Sequence, residues 1–128
     1  MKKVIFLLLL ALFTYSCKQF FNFDENLLNT KKMSGVWEVY EDSTQILNGT
    51  LIMYYNLENK DNENYAIYYR TSGVISYYWW WLHKKEKLYL LNDQSYTTYS
   101  YKIIKLKQND CKLQREDGSF LKLKRKTY

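Results

Sequence analysis

The chain has 128 residues, with 19 Lys and Arg against 13 Asp and Glu for a net charge of +6, a single His, four Gly and no Pro. That length excludes a second full-sized domain. The residue types exclude a Cys/His metal centre at ligand spacing and a glycine-rich phosphate loop, so neither a metal nor another cofactor is expected. Fourteen Tyr and many Lys and Asn match an AT-rich coding bias, so placement carries the argument rather than abundance.

The chain opens on Met1-Lys2-Lys3, then ten apolar residues from Val4 to Phe13, then Thr14-Tyr15-Ser16 and Cys17. Ten helical residues reach only about half of a ~30 Å hydrocarbon core, so the segment reads as a cleaved secretion signal rather than a membrane span. A cysteine directly after such a run, preceded by small Ser16, resembles the lipobox of bacterial lipoproteins in the loose form seen in Bacteroidota. Thr14 and Tyr15 stand where Leu and a small residue are usual. The resemblance implies a diacylated, palmitate-type Cys17 as first mature residue, and two acyl chains make a durable anchor. Ordinary cleavage to a free domain is the alternative. Lys18 is followed by no acid until Asp24, so the acidic cluster that resembles a surface-export signal is missing, and the periplasmic side of the outer membrane is expected. The organisation follows as signal peptide 1–16, lipidated cysteine and tether 17–33 with a helical turn near Leu27 and Leu28, and one β domain over 34–128. Cys111 has no partner if Cys17 is acylated, and it reads as a small buried hydrophobe; a bridge between the two is the lesser reading.

From residue 35 onward the pattern changes to short period-two runs rich in Val, Ile, Tyr and Thr, separated by turn residues. Eight strands are expected, over about 35–41, 49–57, 64–70, 73–82, 87–91, 95–107, 111–115 and 119–126. Turns fall at Asn48-Gly49, 58–63, Ser72-Gly73, Lys84-Lys85, Asn92-Asp93, Asn109-Asp110 and Asp117-Gly118. Hairpin-length connections make sequence neighbours into sheet neighbours. The expected fold is therefore all-β, a small eight-stranded antiparallel up-and-down barrel, with a two-sheet β-sandwich as the alternative. In the last strand Leu121, Leu123 and Arg125 share the inner face, while Phe120, Lys122, Lys124 and Lys126 share the outer.

Gly35-Val36-Trp37 at the start of the first strand resembles the Gly-x-Trp signature of lipocalins, and the likeness runs in outline over 34–126, as in the short lipocalin-like domains of Bacteroidota lipoproteins. The resemblance implies that Arg125 lies over the Trp37 ring and plugs one end of the barrel. It also implies a small apolar or glycan ligand. A barrel this short, without a C-terminal helix or disulfide, has a small or filled cavity.

Tyr77-Tyr78-Trp79-Trp80-Trp81 is the candidate contact segment for a ligand or partner. Tyr77, Trp79 and Trp81 occupy one face and Tyr78, Trp80 and Leu82 the other, but the pattern does not say which face is interior. Outward rings suit a sugar face or a protein, unless neighbouring side chains cover them. His83 stands alone beside Lys84 and Lys85, and nothing in the spacing of Asp42, Ser43 and His83 supports a triad, so a non-enzymatic protein is expected. From Lys102 onward, nine Lys and Arg face three acids. The excess reads as solvated strand edges or as a face for anionic lipid or an acidic partner; a nucleic-acid partner is not expected outside the cytoplasm. An envelope inhibitor or immunity-type protein using the aromatic surface is the second functional class.

Overall fold

In the computed structural model, residues 28–55 and 64–126 are described. The signal segment, Cys17 and most of the tether, including Leu27, lie outside them. The domain is a closed antiparallel barrel of eight strands in chain order: β1 Gly35–Glu41, β2 Leu47–Met53, β3 Asn64–Arg70, β4 Ile75–His83, β5 Lys87–Asn92, β6 Thr98–Leu106, β7 Asp110–Gln114 and β8 Phe120–Arg125. Each strand pairs with the next, and β8 returns to β1 with Trp37 opposite Arg125 and Glu41 opposite Leu121. This is the up-and-down barrel that the eight alternating runs predict, and closure rules out the two-sheet sandwich.

Alternation builds the wall. Trp37 and Val39 of β1, Leu51 and Met53 of β2, Leu88 and Leu90 of β5, and Leu121 and Leu123 of β8 are all buried, while their neighbours on the other parity look outward. Truncating any of these core side chains to Ala costs about 2–5 kcal/mol. Closure also corrects one expectation. A barrel has no free edges, so the C-terminal lysines do not guard strand edges. They lie on the outer wall, where Lys112 crosses the Phe120 ring at 4.6 Å and Lys124 the Tyr40 ring at 5.4 Å. Their aliphatic stems thus cover aromatic surface while the charges stay in water.

The two ends differ. One is sealed by a helical turn over 28–33, at the end of the expected tether. Met33 from this turn is fully buried in the core, and its carbonyl accepts a 2.8 Å hydrogen bond from Trp37 Nε1. The other end is a mouth carrying the connections 42–46, 71–74, 93–97 and 115–119.

The turn expected at Asn48-Gly49 lies inside β2. The hairpin closes earlier, where Gln45 takes a left-handed φ of 58° and its N–H donates to the Glu41 carbonyl. Gly49 is used for packing: a Cβ there would lie 2.3 Å from the Tyr69 carbonyl oxygen, so it permits close backbone approach rather than a bend. Register shifts between Val39 and Tyr40, because Gly49 pairs with Val39 while Leu47 pairs with Tyr40, leaving Asn48 as the extra residue of a bulge. A second bulge, at Ile104 in β6, keeps Ile103 and Leu106 packed on the core and leaves Ile104 exposed.

Candidate functional site

Following the inward parity of three strands from the sealed end to the mouth gives the same progression each time. In β1 it runs Trp37, Val39, Glu41; in β3 Ala66, Tyr68, Arg70; in β7 and just beyond it Cys111, Leu113, Arg115. Large or apolar groups fill the sealed end, and charged groups crown the mouth. Between them is a cavity of about 360 Å³, within the usual range for small-molecule sites. Val39, Leu51, Leu88, Leu90, Leu113 and Leu123 form its apolar wall. Tyr68, Tyr78, Tyr99 and Tyr101 bring phenolic groups to the upper part, and Asn48, Arg70 and Arg115 stand at the opening.

The mouth carries one built ion pair. Arg115 lies against Glu41, with its Nη1 donating to Oε2 at 2.9 Å and its Nη2 donating to Oε1, so the fork and the carboxylate meet in a two-point contact. Asn48, turned inward by the β2 bulge, donates to the same carboxylate at 2.8 Å, and Arg115 also donates to Ser119 Oγ at 3.1 Å. The Arg115 hydrogen bonds hold the Glu41 carboxyl below its ordinary range, and the same bonds raise Arg115. Arg70 is placed differently. It approaches the Tyr78 hydroxyl at 3.5 Å and the Tyr68 ring at 5.5 Å, and no carboxylate among the described residues lies within ion-pair distance of it. Burial raises Tyr68 and pushes Tyr101 up to about 12, so both phenols keep their protons near neutrality and remain hydrogen-bond donors.

Trp37 and Arg125 come together at the sealed end. The guanidinium carbon of Arg125 lies 4.2 Å from the Trp37 ring centroid, and its nitrogens donate to the carbonyls of Lys32, Ser34 and Gln108. Gly35 makes room for this: it has φ of 118°, and a Cβ would lie 2.3 Å from an Arg125 nitrogen. Its place in the Gly-x-Trp motif thus has a steric cause in this chain. Cys111 is buried beside them, its thiol pushed up to about 12 by desolvation.

The aromatic segment divides between wall and exterior. Tyr78 and Trp80 face inward, but only Tyr78 reaches the cavity. Trp80 is fully buried toward the sealed end, where its Nε1 is shared between the carbonyls of Tyr54 and Tyr65, each at 3.1 Å; in this packing it is unavailable as a contact. Tyr77, Trp79 and Trp81 face outward and are largely covered by other rings. Tyr65 stacks with Tyr77 at 6.1 Å and meets Trp79 edge-on at 5.0 Å, and Tyr89 stacks on Trp81 at 5.3 Å. Tyr77 is the most open of the five at 37% exposure. Asp42 and Ser43 lie in a mouth hairpin and His83 at the far end of β4, so the barrel separates these three residues along its length.

The sequence reading missed Glu41, Arg70 and Arg115. The signal was present, because each continues an inward alternation by one more step of two. It is faint because each of these residues ends or follows its strand, where alternation no longer separates inside from outside.

The comparisons with known proteins concern the barrel alone. Among solved structures, a lipocalin-like protein from Bacteroides uniformis matches with 11% identity over 74% of this chain and 99% of its own, at a TM-score of 0.48. A redesigned β-barrel matches with 11% identity over 77% of this chain and 96% of its own, at 0.47. No family model and no curated protein matches the sequence.

Proposed function

We propose that this protein is a non-enzymatic, membrane-anchored binding protein, held by acyl chains on Cys17 at the periplasmic side of the outer membrane, that takes a small apolar ligand into its barrel. The observation that carries the reading is the 360 Å³ cavity with an aliphatic wall, open at one end and plugged at the other. Water against the aliphatic lower wall has few polar partners, so an apolar body displaces it favourably there. A glycan fits the cavity less well, because sugar hydroxyls against Leu51, Leu88 and Leu113 would lose their hydrogen bonds. Purifying the full-length protein in mild detergent and analysing its organic extract by mass spectrometry tests the carrier reading; an extract no different from a detergent blank overturns it. The mass of the N-terminal peptide from the same preparation tests the anchor, and an unmodified Cys17 thiol rejects it.

A second reading uses the outside. The ladder of Tyr65, Tyr77, Trp79, Trp81 and Tyr89 spans β3 to β5 as one ring-rich surface, suited to a sugar face or to a protein partner. The net positive charge favours an acidic partner. Partner capture lost on Tyr77→Ala and retained on Tyr78→Phe supports this reading over the cavity.

A further inference from the structure

We propose that the cavity is specific for an anionic amphiphile, a compact apolar body carrying one carboxylate, with the anion held at the mouth by the Arg70 guanidinium and the Tyr78 hydroxyl. This rests on the carrier reading and specifies its ligand class. The argument begins with the two mouth arginines. Arg115 is neutralised by the two-point contact with Glu41, which Asn48 braces. An incoming anion meets little net charge there, and it meets a carboxylate as well. Arg70, on the same rim, has only a neutral phenol at 3.5 Å and a ring face at 5.5 Å. A guanidinium has five N–H donors in a planar fork, and neither neighbour brings it a negative charge. Bidentate pairing with a carboxylate is the interaction that such a fork makes best.

The surroundings select against other head groups. A cation would approach Arg70 and Arg115 together, with Glu41 already engaged. A neutral alcohol could bond to the phenols but would leave Arg70 without a counter-charge. Tyr68 and Tyr101, kept protonated by burial, add donors and no negative charge. Below them the aliphatic wall takes the apolar body. The cavity's 360 Å³ corresponds to about a dozen waters at ~30 Å³ each, room for a medium-length acyl chain or a small ring system rather than a two-chain lipid.

Calorimetric titration of the full-length protein with decanoate, decan-1-ol and decylammonium, against a protein-free detergent blank, tests this. The expected result is decanoate binding about tenfold to a hundredfold tighter than decanol, the span of one charge-assisted interaction. Arg70→Gln brings decanoate down to the decanol level, and Arg70→Lys restores part of the preference. Lys122→Gln, on the outer wall, is the control for general charge and keeps the preference intact; circular dichroism of each variant verifies the fold. Equal binding of decanoate and decanol, or a preference that survives Arg70→Gln in a folded protein, overturns the anion proposal while the carrier reading stands. Failure of all three probes to bind overturns both.

Discussion

The chain contains three arginines, Arg70, Arg115 and Arg125, and all three belong to the inward parity of the barrel, whereas lysines stud the outer wall. Comparing the two ends shows what that placement means. At the sealed end Arg125 is saturated: three backbone carbonyls accept its protons and the Trp37 ring covers its face. At the mouth Arg115 is saturated by a carboxylate, and Arg70 has no charged partner among the described residues. The same residue type on the same face is structural where carbonyls, a ring or a carboxylate already engage it, as at Arg125 and Arg115, and available where none of these does, as at Arg70. The partners a guanidinium already has, rather than residue identity, separate the two roles.

The largest test of that contrast is at the filled end. Trp80→Ala leaves a cavity and removes the N–H shared by the Tyr54 and Tyr65 carbonyls, of which the second keeps the Tyr54 N–H, and should cost about 3–5 kcal/mol, lowering Tm by more than ~10 °C. Trp79→Ala, one residue away but outward, loses mainly its edge contact with Tyr65 and should cost about 1 kcal/mol. Thermal melts of the two variants compare the faces directly, and equal losses would contradict the division between filled interior and solvated exterior.

Next in size is Gly35→Ala. A side chain at φ of 118° is strained, and its Cβ would meet Arg125. A loss of about 1–3 kcal/mol is expected, readable by chemical denaturation. Trp37 fluorescence should change as well, because the guanidinium is displaced from its ring.

Smaller effects are expected at the mouth. Glu41 is depressed, so its contribution is fully present above its ordinary value of 4.5 and is lost as pH falls through the lower folded value. The stability of the natural protein should therefore decline in acid more steeply than that of Glu41→Gln. At neutral pH the two should differ by about 1 kcal/mol or less, since the pair is partly solvated. An identical acid profile for both would remove the pair from any role in stability.

The last effect lies at the other extreme of pH. Tyr101 is raised from 10 to about 12, so its contribution is present below pH 10 and is lost as pH climbs toward 12. Tyr68 is raised as well, so phenolate absorbance should show several late-titrating groups, and Tyr101→Phe should remove the one near 12.

Most of the wall was legible in the sequence because closure leaves each strand one wet face and one dry face. Leu121, Leu123 and the outward lysines of β8 declared this alternation plainly, and the expected bounds of β1 and β3 match those in the structure. What the sequence hid has a physical cause in each case. Asn48-Gly49 has the composition of a hairpin turn, yet here a bulge and a close backbone approach require those two residues. The Tyr77 to Trp81 run is aromatic on both parities, so only the folded barrel separates the core Trp80 from the ring-covered Trp79. The cavity was the least legible feature, because tyrosines that fill a barrel and tyrosines that line one have the same spacing.

An even number of antiparallel strands returns a chain to the end from which it set out. Residues 28–33 and Lys126, whose N–H donates to the Val36 carbonyl, accordingly lie together at the plugged pole. A surface linkage made close to residue 28 or to Lys126 would leave the opposite pole unobstructed, so an immobilised layer of this domain would display its openings in a common direction.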